Sequence, residues 1–280
     1  DRDIQEALKL FDAVTGLLPP PHDPANPLLP VDDRLPSPRT AELAGAMAFA
    51  YSLPSSKYHQ NALLFTTIEA ITRNYWKEAG GNPGRITVLG KPLEGATLAA
   101  HLEPLLYAYA RAGQAFKEAD RTKYKTWLQQ ALDSLLSQEP RTPSTDAMTW
   151  CGTMALGTQV LGIKEKKYNE AADRVFGWIR PMTGPGGEIW EAGGVDPVRA
   201  ARFLHSLFLL RLFRNDAALD DPLAASLEWY TRLYSFRAVP LIGMDRYPLP
   251  RLRASVAALL GPLTYYAGRK PYFAQTATRY

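Results

Sequence analysis

From Thr40 onward the apolar residues of this chain recur at three- and four-residue intervals almost without interruption, and segments with strand-like alternation are few. That spacing gathers apolar side chains on one stripe of a helix, so it predicts an all-α protein. The expected helices cover residues 3–17, 40–52, 57–79, 93–112, 121–137, 144–161, 165–179, 197–215, 221–236 and 251–266, with 85–89 as the best strand candidate. Two kinds of helix alternate among them. Segments 40–52, 93–112, 144–161 and 197–215 are rich in small residues or apolar nearly all round, whereas 121–137 and 165–179 carry a charged face. Helices without a polar face belong inside and amphipathic ones outside, which is the pattern of an inner and an outer ring. The expected architecture is therefore an α/α toroid, an incomplete barrel of the (α/α)6 type made of antiparallel helical hairpins. Lys57-Tyr58, Lys123-Tyr124 and Lys167-Tyr168 read as a loose mark of helix starts. Their spacing is too uneven for a solenoid, whose units recur at nearly fixed length.

The toroid is expected over residues 40–280. Residues 1–39 read as a helix followed by an extended segment, because residues 18–40 hold eight of the 23 prolines and proline both fixes φ and removes a donor. Residues 271–280 read as the opening of another helix, so the natural chain is expected to continue. A first residue that is Asp rather than Met is read as the mark of a processed chain, and the expectation is a bacterial protein that is periplasmic or secreted.

Composition excludes several classes of function. One cysteine, Cys151, allows neither an internal disulfide framework nor a zinc site of several thiolates. The net charge of +4 is dispersed without a Lys/Arg block, so no nucleic-acid partner is expected. No apolar run reaches the roughly 18–20 residues of a membrane span. A phosphate loop and a His-Glu-x-x-His pair are both missing, and neither a metal nor a cofactor is expected.

The segment 184–196, Gly-Pro-Gly-Gly-Glu-Ile-Trp-Glu-Ala-Gly-Gly-Val-Asp, concentrates the functional signals. Its glycines permit sharp turns or close approach of backbone to a ligand, and Glu188, Trp190, Glu191 and Asp196 add polar and stacking groups. It opens into an otherwise apolar helix that carries Arg199, Arg202, His205 and Ser206 in its first half. A polar half on a buried helix is the expected lining of a cavity.

With Glu-Ala-Gly-Gly-Val-Asp at 191–196, His205 on the following helix, and Met-Asp-Arg-Tyr at 244–247 before another inner-type helix, the chain resembles the α/α-toroid domain of polysaccharide lyases and heparinase II/III-like proteins. The resemblance covers roughly residues 40–270. It implies binding of an acidic, uronate-containing polysaccharide and its β-eliminative cleavage, together with a β-sandwich domain following the toroid. Such cleavage needs a cation on the carboxylate, a base for the C5 proton and an acid at the leaving oxygen. Arg202 and His205 fit the first two roles, with Tyr247 as the acid and Tyr75, Tyr107 or Tyr234 as substitutes. Arg199, Arg246, Asn74, Glu191 and Asp196 are candidate substrate contacts, and Trp150 and Trp190 are candidate sugar-stacking rings. Where such proteins carry an aromatic residue and a tyrosine after the glycine-rich stretch, this chain has Pro197, Val198 and Arg199.

Each candidate also has a structural reading. His205 can be a hydrogen-bonded core histidine, the two arginines can pair with loop carboxylates, Trp190 can plug a core, and Asn74 can serve a helix end. His101, with Glu103 and Tyr107 on an expected inner helix, ranks second among the histidines, and His59 reads as solvent-facing. The alternative functions are a toroid glycoside hydrolase that uses Glu188, Glu191 or Asp196, and a non-catalytic glycan-binding or scaffold relative.

Overall fold

The structure is a computed structural model that describes residues 37–78, 86–88, 91–190, 194–233 and 259–266. The described chain is predominantly helical, with a single two-stranded hairpin among the described residues. It forms two compact units, each assembled from two separate pieces: Asp1–Gln138 with Gly157–Lys164, and Glu139–Leu156 with Glu165–Tyr280. The expected helix at 3–17 and the extended segment before Ser37 lie outside the described residues.

In the first unit, helix α1 (Pro38–Ser52) starts two residues before its expected position. Ser37 is extended and its side chain accepts from Thr40 N, while the Thr40 hydroxyl accepts from Ser37 N, a reciprocal cap that satisfies two orphan donors. Pro38 then fits the first helical position, where its missing N–H costs nothing. Helix α2 (Ala62–Glu78) starts later than expected. The Asn61 side chain caps it by accepting from Leu64 N at 3.0 Å, and Gln60 before it is left-handed at φ 53°. Lys57-Tyr58 consequently sits in a turn and opens no helix. Strands β1 (Thr87–Val88) and β2 (Lys91–Pro92) pair antiparallel, with Val88 opposite Lys91, so a strand is found within the expected 85–89 segment.

Helix α3 (Gly95–Ala112) packs chiefly on α1. Ala41, Ala44, Met47, Ala48 and Ala50 of α1 are fully buried, and a Cβ on Gly45 would lie 3.1 Å from the Pro104 carbonyl oxygen. Small residues let these two helices approach closely. Helix α4 (Glu118–Leu136) buries one face through Tyr124, Trp127, Leu128, Ala131, Leu132 and Leu135. Lys123-Tyr124 falls within this helix and does not mark its start; the buried Tyr124 hydroxyl donates to Leu105 O at 2.9 Å.

Helix α5 (Thr145–Leu161) is buried all round from Ala147 to Thr158, as its small and apolar residues predict, and its residues to Leu156 belong to the second unit. Its threonines reach burial without orphaned hydroxyls: Thr149 and Thr153 donate to the carbonyls four residues back. Helix α6 (Lys166–Ile179) is amphipathic, burying Tyr168, Ala171, Ala172, Val175 and Ile179. Its outer face carries a two-pronged ion pair from Arg174 to Glu139 and another from Arg214 to Asp173.

Helix α7 (Pro197–Arg214) ends at Asn215 in the left-handed conformation, φ 52°. It approaches α5 closely at one point, since a Cβ on Gly152 would stand 2.8 Å from the Ser206 carbonyl oxygen. Helix α8 (Asp220–Arg232) is joined to α7 by a buried network. Arg211 donates twice to the Asp220 carboxylate, at 2.6 and 3.0 Å, and the buried Tyr266 hydroxyl donates to the same group at 2.6 Å. Asp220 raises the affinity of the guanidinium for its proton. Tyr266 directly follows the short helix α9 (Leu260–Tyr265).

Candidate functional site

The glycine-rich loop of the second unit is a tight hairpin whose polar groups close on one another. Thr183 bridges Ile189; Gly184 N donates to Glu188 O at 2.8 Å, and Trp190 N donates to Met182 O at 3.0 Å. The Glu188 carboxylate folds back to accept from Gly186 N at 2.9 Å. It lies where side chains on Gly184 or Gly186 would be, since a Cβ on either would come 2.5 Å from one of its oxygens. Gly187 has φ +86°, and a Cβ there would overlap the backbone of Ala225 on α8. These three glycines are thus required by the fold of the loop and its seat on α8. Ligand approach is not needed to explain them.

Asp196 ends the segment as the N-cap of α7. One of its carboxylate oxygens accepts from Val198 N at 2.9 Å and from Arg199 N at 3.0 Å, and the negative group sits at the positive end of the helix. Pro197 fills the first position, and the buried Tyr230 hydroxyl of α8 donates to its carbonyl at 2.8 Å. These contacts fix where the first turns of α7 point.

Most of α7 is buried, including Ala200, Ala201, Phe203, Leu204 and every residue from Ser206 to Arg211. Val198, Arg199, Arg202 and His205 form its partly exposed side in the first half. Arg199, Arg202 and His205 follow one another at three-residue steps, so each lies one turn from the next. Arg199 also sits 3.8 Å from Asp146 of α5, in a half-exposed ion pair. In the loop before the helix, Trp190 is 56% exposed, with ring surface open to solvent. Two guanidinium groups and an imidazole in a row can hold an anionic ligand through charge-assisted hydrogen bonds, and an exposed indole can stack on a ring.

Other candidates are placed differently. Trp150 is a correction: it is fully buried in α5, has no ring face open to a sugar, and belongs to the core. Asn74 is half-buried on α2 in the first unit. Glu191, Tyr234, Arg246 and Tyr247 lie outside the described residues. His59 is exposed, as expected, though it sits in a turn before α2.

Tyr75 and His101 were separate candidates 26 residues apart, and they meet in the first unit at 2.8 Å between Tyr75 Oη and His101 Nδ1. Both are buried, His101 at 1% exposure. Burial pushes the imidazole down to about 4 and the phenol up to about 12, so neither is charged near neutrality. Tyr107 is also raised, first by burial and then by Glu103. The pairing of Tyr75 with His101 has no local sequence signal, because it joins two helices across a core.

Among the described residues, no group of three His, Cys, Asp or Glu side chains is placed to hold a metal ion, and no helix is long and apolar enough to cross a membrane. Compared with known proteins, the chain matches no family model and no curated protein.

Proposed function

We propose that the partly exposed side of α7 binds an acidic, uronate-containing polysaccharide, and that the helical hairpins belong to an incomplete (α/α)6-type toroid. The observation that carries this reading is the row Arg199, Arg202, His205 on a helix that is otherwise mostly buried. Buried helices rarely carry charged residues without a role for them. In each unit, moreover, two of the small-residue helices meet at a glycine, α1 on α3 and α5 on α7, as inner helices of a toroid would.

In this reading Arg199 and Arg202 engage uronate carboxylates and Trp190 stacks on a sugar ring. β-Elimination is the reaction that the same groups support best. Arg202 would neutralise the carboxylate, which acidifies the C5 proton, and His205 would remove that proton. The electron pair would form the C4–C5 double bond as the C4–O bond breaks, and Tyr247 would protonate the departing sugar oxygen. The substrate would be met in the periplasm or outside a bacterial cell. No observation favours the hydrolase alternative, since Glu188 is held by Gly186 N and Asp196 by the first turn of α7.

The test is binding of polygalacturonate, alginate and heparan sulfate to the wild type and to Arg202→Ala, His205→Ala and Trp190→Ala. Folding of each variant is checked by circular dichroism. Loss of a charge-assisted hydrogen bond of about 1.5–3 kcal/mol predicts roughly 10- to 100-fold weaker binding for Arg202→Ala. Unchanged binding in the folded variants removes the proposed site. Ultraviolet absorbance of unsaturated uronate ends separates a lyase from a protein that binds without cleaving.

A further inference from the structure

The first unit contains a chain of hydrogen bonds independent of the α7 face, in which three elements converge on Tyr75. The Tyr75 hydroxyl lies 2.6 Å from Ser37 O, the carbonyl of the residue that caps α1, and 2.8 Å from His101 Nδ1 on α3. A carbonyl only accepts, so the single phenolic proton goes to Ser37 O. His101 must then donate from Nδ1, and Nε2 is the only position left for a second proton.

Among the described residues a charged ring would find no counter-ion there. The titratable neighbours are Tyr75 itself on α2, Tyr124 on α4, whose phenol interacts with that of Tyr75, and Glu42 on α1, whose carboxylate acts on the Tyr75 phenol. On α3 the nearest in sequence is Glu103, which acts on Tyr107. None of these carboxylates forms an ion pair with His101, and burial is what disfavours its charged form. An uncompensated buried charge is expelled or forces the site open.

We propose that Ser37, Tyr75 and His101 form an acid-sensitive latch: a second proton on His101 drives the ring from its seat, breaks its bond to Tyr75 and releases the capped end of α1 from α2 and α3. At neutral pH the latch is shut. It opens as the pH falls from the ordinary histidine value of 6.5 toward about 4.

The experiment is hydrogen exchange of the whole chain between pH 7 and 4, corrected for intrinsic rates, read on peptides from α1 and from α6. Uptake of one proton predicts that α1 protection falls by about tenfold per pH unit between pH 6.5 and about 4, while α6 keeps its protection. His101→Asn keeps a donor near the Nδ1 position and cannot titrate, so its α1 protection should not fall. Full protection of α1 at pH 4, simultaneous loss in α1 and α6, or an equal fall in His101→Asn each overturns the proposal. Should that variant not fold, the His101 ring signal of the wild type decides, because the chain has four histidines to assign. Titration together with loss of α1 protection supports the latch, and titration near 6.5 with α1 still protected overturns it.

Discussion

Replacing Gly152 and Gly177 with alanine separates intrinsic helix preference from packing, because the two glycines differ only in what surrounds them. Both lie in helices, Gly152 in α5 and Gly177 in α6, so alanine should bring each about 0.5–1 kcal/mol by restricting the unfolded backbone. Among the described residues nothing lies within 4 Å of a Cβ on Gly177. That variant should be more stable by nearly the full amount, raising the melting temperature by about 1–4 °C at roughly 2–4 °C per kcal/mol. A Cβ on Gly152 would meet Ser206 O at 2.8 Å and Ser206 Cα and Cβ at 3.1 Å. Ordinary carbon contacts lie at about 3.5–4.0 Å, so the α7 backbone would have to retreat by several tenths of an ångström. Overpacking of this kind costs about 1–3 kcal/mol, which offsets or exceeds the helix gain and leaves a net loss of about 0–2.5 kcal/mol. Thermal and urea unfolding followed by far-ultraviolet circular dichroism reads both variants against the wild type. If Gly152→Ala were stabilised as much as Gly177→Ala, the close approach of α5 to α7 would be refuted.

Asp220→Ala leaves Arg211 charged and buried and removes the acceptor of Tyr266, so urea unfolding should show a loss of about 3–5 kcal/mol, and a loss below about 1 kcal/mol would show that the network is not needed. Gly187→Ala and Gly194→Ala both place alanine at positive φ, but among the described residues only at Gly187 does the new atom meet backbone. Gly194→Ala should cost about 1–2 kcal/mol and Gly187→Ala clearly more; equal costs in calorimetry would mean that the loop does not seat on α8. Tyr75 has its pKa raised to about 12, so its neutral form stabilises the fold below pH 10, and that contribution is lost as the pH rises from 10 through 12. The loss amounts to about 3 kcal/mol over those two units, and Tyr75→Phe should flatten the alkaline stability profile by one proton. An unchanged slope in that variant would contradict the burial of the phenol.

The sequence was most legible where one period ran uninterrupted. The all-round apolarity of α5 and the one-sided apolarity of α6 both translate directly into their burial, because a helix exposes what its repeat places outside. By the same reasoning Trp150, in the middle of a segment of small and apolar residues, was readable as core; its aromatic ring suggested a sugar contact only when separated from that context. Helix ends were read less well. Asn61 and Ser37 decide where α2 and α1 begin, and a cap is one side chain whose effect outweighs the periodicity around it. The candidate site divides similarly. The exposure of Arg202 and His205 along one side of α7 follows from three-residue spacing, whereas Tyr75 with His101 and Arg211 with Asp220 depend on how helices pack. In the 184–190 loop the abundance of glycine signalled close approach correctly, but the approaching groups are Glu188 and the α8 backbone.

Because each compact unit draws on two separated pieces of chain, neither is finished in one stretch of synthesis. Gly152 leaves the ribosome 54 residues before Ser206, the difference of the two positions, and α5 is apolar all round in the meantime. At about 5–20 residues per second that interval lasts roughly 3–11 s, far longer than a helix needs to form. During those seconds the nascent α5 lacks the α7 surface that Gly152 packs against in the finished chain.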